Sequence, residues 1–144
     1  MKTNTILRAI LLAASLSAAT GLAVARSTTM IELGRQTTMT TDAKPLGAEA
    51  MHKAILAGGA VHSWKAVADA PGVVTLEADS GQHQAVVDVA YDATGWQITY
   101  KSSANLNYEH SDKKTSIHPK YNKWVEDLNA EIRRAATSVQ PTAN

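Results

Sequence analysis

The spacing of apolar residues changes several times along this chain, and each change marks a new element. An apolar run from Ala9 to Ala14, continued by Leu16, Ala18, Ala19 and Leu22, follows the basic residues Lys2 and Arg8 and closes on Ala23-Val24-Ala25. That order is a secretory signal with a small-residue cleavage site, and the cut is expected after Ala25. Ser15, Ser17, Thr20 and Gly21 dilute the run below the roughly 20 strongly apolar residues a spanning helix needs. The sequence therefore predicts an exported, periplasmic protein with no stable membrane anchor once residues 1–25 are removed.

From Arg26 to Lys44 six threonines surround only Met30, Ile31, Leu33 and Met39, with no helical or strand period. So little apolar surface predicts a flexible threonine-rich leader over residues 26–44. Ala48, Met51, Ala54 and Ile55 then recur at helical spacing after Pro45, and Gly58-Gly59 reads as the helix stop.

Beyond the glycines the period shortens. Val61 to Ala68 predicts one strand, Val73 to Ala78 a second after the Pro71-Gly72 turn, and His83 to Tyr91 a third after Asp79-Ser80-Gly81. The Asp92 to Gly95 turn leads to a fourth strand lined by Trp96, Ile98 and Tyr100. Turns this short join antiparallel neighbours, so the four form a meander. Residues 101–115 read as a polar loop anchored by Leu106 and Tyr108. Pro119 then opens a helix whose Tyr121, Trp124, Val125, Leu128 and Ile132 form one apolar stripe.

The predicted fold class is α+β: a four-stranded antiparallel meander flanked by an N-terminal and a C-terminal helix packed on one face. The single domain spans 45–136, with a disordered tail over 137–144. Trp64, Val87, Val89, Trp96 and Ile98 are expected to meet Ile55, Trp124, Leu128 and Ile132. Val74, Val86 and Ala90 are assigned to the opposite face, as an apolar patch open to a partner.

Charge and composition narrow the partners. Of 14 Lys and Arg residues, Lys2 and Arg8 leave with the signal, so 12 remain against 13 Asp and Glu and the mature formal charge is −1. A near-neutral chain without a basic block has no electrostatic footprint for nucleic acid. With no cysteine there is no disulfide, and packing alone must hold the fold.

No catalytic constellation stands out. The histidines at 52, 62, 83, 110 and 118 show none of the spacings that pair metal ligands, and no metal or cofactor is expected. Ser102 and Ser103 lack a nucleophile-elbow motif. Asp79 and Asp92 read as turn residues, and Asp88 as a cross-strand partner for Lys101 or Lys65. His118, just before Pro119, is expected to bridge the polar loop and the last helix. Most aromatic residues fall on core stripes, which leaves Tyr108, His110, His118 and Tyr121 as the candidate binding residues.

Three segments carry a resemblance: His83-Gln84-Ala85-Val86-Val87-Asp88-Val89 with Tyr91, then Ile98 to Tyr108, and Ile117-His118-Pro119-Lys120-Tyr121-Asn122-Lys123-Trp124-Val125. Together they resemble a family of small uncharacterised proteobacterial periplasmic proteins and lipoproteins. The resemblance implies an envelope location and a similar fold, without an activity to transfer, and this chain lacks the lipid-attachment cysteine. The expected function is a non-enzymatic module that binds another envelope protein or a small ligand. The alternative is a small metal-dependent or hydrolytic enzyme using His110, Asp112 and His118.

Overall fold

The structure is a computed structural model that describes residues 26–139, so residues 1–25, where the signal is expected, and residues 140–144 lie outside the described residues. In chain order the elements are β1 (Thr28–Thr29), β2 (Arg35–Thr37), α1 (Ala48–Val61), β3 (Lys65–Ala70), β4 (Val73–Ser80), β5 (His83–Tyr91), β6 (Gly95–Ala104), β7 (Glu109–His110), β8 (Thr115–Ile117) and α2 (Pro119–Ser138). The architecture is α+β. The expected meander is β3 to β6, and β2 extends it to a five-stranded antiparallel sheet ordered β2-β6-β5-β4-β3. A small second sheet runs β1-β8-β7.

Register explains which face is dry. Val74 lies opposite Val89, Leu76 opposite Val87 and Ala78 opposite Ala85, while Val89 also faces Ile98 and Tyr91 faces Trp96. Directly opposed residues point to one side of a sheet, and this side is the buried one. Both helices cover it: Gly59 of α1 packs on Leu76, and Asn129 of α2 accepts a 2.9 Å hydrogen bond from the Trp96 indole. Met51, Ala54 and Ile55 of α1 close the core with Tyr121, Val125, Leu128, Ile132 and Ala136 of α2.

Several expectations are corrected. Val74 is fully buried in the core, not on an open apolar face. Val86 and Ala90 do face away, but among Thr75, Glu77, Asp88, Gln97 and Thr99, so that face is mixed and polar. There Asp88 accepts from Thr75 Oγ1 at 2.6 Å and pairs with Lys101 at 3.1 Å, the cross-strand role read from sequence.

Gly58-Gly59 is not a stop, because α1 continues to Val61 with both glycines buried. A Cβ on Gly58 would lie 2.6 Å from the Ile132 backbone nitrogen, so the missing side chain is what lets the two helix backbones approach. The helix also begins at Ala48 rather than Pro45, which instead bridges to Met39.

The threonine-rich stretch, expected to be mobile, supplies β1 and β2. These strands are two and three residues long, and main-chain pairing and side-chain anchors hold them rather than an apolar face. Thr28 lies opposite Ile117 and Arg35 opposite Gln97. The Arg35 guanidinium reaches Asp92 at 2.7 Å and Thr94 Oγ1 at 2.8 Å, tying β2 to the β5–β6 turn. Asp92 also accepts from the Thr94 backbone, and these bonds hold its carboxyl well below the usual range. Within the expected polar loop, β6 runs on to Ala104 and β7 and β8 form a hairpin. Leu106 is buried between Asn105 and Asn107, both left-handed, a backbone state asparagine tolerates better than most residues. Thr137 and Ser138, expected in the tail, belong to α2. Among the described residues no helix is long and apolar enough to cross a membrane.

Candidate functional site

The most distinctive hollow lies where the five-stranded sheet splits. β2 pairs with β6 from Gly95 to Gln97. The chain before β2 does not continue along β6. It turns at Gly34, whose φ of 65° is left-handed, and runs instead to β8 and α2. The Met30 amide donates to the Thr115 carbonyl at 2.9 Å. One side chain fixes the rest: Asn122 Oδ1 accepts from the Ile31 amide at 3.1 Å, and its Nδ2 donates to the Thr29 carbonyl at 2.9 Å. The primary amide thus satisfies two main-chain groups of a segment that otherwise has few anchors.

Between this diverted segment and residues Gln97 to Tyr100 of β6 lies a cavity of about 380 Å³. Tyr100 and Tyr108 stack in it with centroids 4.3 Å apart and planes 10° off parallel, and Tyr121 meets Tyr100 edge-on at 5.6 Å. Met30, Ile31 and Val125 give the hollow apolar walls, and Glu32 and His110 stand on its polar side. Tyr121 is buried, which pushes its hydroxyl far above the usual phenol range, with Tyr100 and Glu32 adding to the effect. Tyr121 is accordingly a neutral phenol, while Tyr108 is 39% exposed and reachable from solvent.

Three of the four residues singled out from sequence, Tyr108, His110 and Tyr121, come together here. His118 does not. It caps α2, its Nδ1 accepting from the Lys120 amide at 3.1 Å, and its own amide donates to the Leu106 carbonyl at 2.7 Å. That is the loop-to-helix bridge expected of it. Its ring stacks on His83 at 5.1 Å, and His83 Nδ1 lies 2.7 Å from the Asn105 carbonyl. Asp112 is exposed in the β7–β8 turn, and Ser103 is within 3.0 Å of the Tyr100 hydroxyl. Among the described residues no three His, Asp or Glu side chains gather closely enough to hold a metal ion. His110, Asp112 and His118 therefore do not assemble a metal-binding group.

Burial, then the charges of His83, Lys120 and Arg26, lower the His118 pKa. A protonated Nδ1 also cannot accept from Lys120. Since the folded state binds this proton less readily than the unfolded chain, stability is complete above the ordinary histidine pKa of about 6.5 and declines as pH falls below it. His118→Asn keeps a capping side chain and should flatten that decline. Urea unfolding of both proteins between pH 7 and pH 5 measures the difference, and parallel curves would remove His118 as its source.

The sequence reading missed Met30, Ile31, Glu32 and Tyr100. The first three sit in the stretch expected to be mobile, and Tyr100 was assigned to the core. Asn122, which aligns that stretch, stands within the C-terminal motif that carried the family resemblance. No family model, curated protein or solved structure matches the chain.

Proposed function

We propose that this protein is a non-enzymatic binding module of the bacterial envelope, and that it holds an extended segment of a partner protein in the gap between β6 and the diverted N-terminal segment. One observation carries the reading: beyond Gln97 the outer edge of β6 has no strand partner among the described residues, and that free edge borders the tyrosine-lined hollow. An unpaired edge offers main-chain donors and acceptors to an incoming strand, and adjacent pockets select its side chains. Tyrosine suits the second task, being large, nearly rigid and amphipathic, and the exposed Tyr108 is the natural first contact.

The reading is tested by selecting from a library of unstructured peptides on the immobilised protein. The recovered peptides should bind with micromolar affinity and lose at least about tenfold on Tyr108→Arg, which places a charge over the stacked pair. Lys53→Ala, on the exposed side of α1, should leave them unaffected. Peptides that bind Tyr108→Arg as tightly as the wild type would remove the gap as the site.

A further inference from the structure

A second cleft, on the other side of α2, differs in character from the tyrosine gap. It has a volume of about 490 Å³, within the usual range for small-ligand sites, and lies between α2, the α1–β3 turn and the end of β4. Its floor is a corner of two indoles: Trp64 and Trp124 meet edge-to-face, with centroids 6.4 Å apart and planes at 79°. Trp96 donates its N–H to Asn129, whereas the N–H groups of Trp64, which is 5% exposed, and of half-buried Trp124 have no acceptor among the described residues.

The rim holds donors and acceptors in balance. Lys120 and Lys123 face Asp79 and Asp127, two cations against two carboxylates, and Ser63 and Ser80 add hydroxyls. Lys123 pairs with Asp127 at 2.9 Å, and Lys120 donates to Ser80 Oγ at 3.2 Å while its ammonium lies 5.1 Å from the centre of the Trp124 ring. His62 also lines the cleft, 3.9 Å from Glu131, and the lysine and aspartate charges balance, so no net charge of one sign draws in a free anion or cation. What matches it is a neutral ring with an apolar C–H face for the indole corner and several hydroxyls for a rim that both donates and accepts. We propose that this cleft binds a neutral sugar ring, free or as one unit of a glycan. The site is independent of the β6 gap and stands or falls separately from it.

The full mature chain is titrated with neutral N-acetylglucosamine trimer and with maltotriose, and binding is followed by indole fluorescence. At least one is expected to saturate in the micromolar to millimolar range and to weaken about tenfold on Trp124→Ala. Asp127→Ala, at a half-buried position on the rim of the cleft, keeps the test valid if Trp124→Ala fails to fold, and is expected to weaken binding several-fold. Tyr108→Arg should leave it unchanged, which separates this site from the peptide gap. N-acetylglucosamine and glucose are titrated alongside: a trisaccharide that binds while its monosaccharide does not assigns the cleft to glycan chains, and equal affinity assigns it to free sugars. No saturation by any of these sugars, or saturation unaffected by both cleft variants, would overturn the proposal.

Discussion

Gly58→Ala is expected to lower the unfolding free energy by about 2 to 3 kcal/mol, although alanine is the better helix former by about 1 kcal/mol. A Cβ at this position would lie 2.6 Å from Ile132 N, 2.7 Å from Ile132 Cα and 2.8 Å from the Glu131 carbonyl carbon. All three atoms belong to the backbone of α2, so none can swing aside as a side-chain tip could. The helices must separate, which loosens the contacts of Ile55, Leu128 and Ile132, each fully buried. Gly59→Ala is the control. Its Cβ would meet Leu76 Cδ1 at 3.3 Å and Trp64 Cβ at 3.4 Å, contacts a small shift relieves, so propensity and crowding nearly cancel. Urea unfolding midpoints for the two variants decide the matter. If Gly58→Ala and Gly59→Ala unfold together, close helix approach is not what the first glycine supplies.

Trp96→Ala should cost about 3 to 5 kcal/mol, the range for removing a fully buried large aromatic. The indole has no exposed surface, donates to Asn129 and lies 5.8 Å below the Arg133 guanidinium, so it joins the sheet to α2 through packing, a hydrogen bond and a cation–π contact. Trp124 stands on the stripe that the sequence assigned to the core, yet it is only half-buried and packs against the rim of the cluster. Trp124→Ala should therefore cost clearly less than Trp96→Ala in the same denaturation series. Equal losses would mean that burial does not rank the two indoles.

The central hairpins were legible because their side chains alternate. β5 has the bounds read from sequence, since Ala85, Val87 and Val89 face a dry core while Val86 and Asp88 do not, and α2 begins at the proline that announced it. Local chemistry could not show what the main chain does at a distance. A glycine pair looks the same whether it ends a helix or admits a second one, and only the proximity of Ile132 tells them apart. β1 and β2 are too short to carry a period, and their anchors, Asn122 for one and Asp92 with Thr94 for the other, lie far along the chain.

The candidate site divides along the same line. Tyr108 and His110 stood out because no core stripe claimed them, whereas Tyr121, given a surface role from sequence, stays on the apolar stripe of α2 and is buried at 2% exposure. The opposite wall is backbone from Met30 to Gly34, set in place by an amide 91 residues away from Ile31, and no window of sequence spans that distance.

That separation also orders how the chain matures. Synthesis starts at the N-terminus, so Thr28 to Thr37 is available long before Gln97, Ile117 or Asn122 exists to receive it. Hairpins β3 to β6 close over short loops and should form early, whereas the earliest-made strands find partners last, when the longest loop is closed. The hollow is consequently the final part of the molecule to take shape, and a nascent intermediate would show the bare flank of β6 along its whole length.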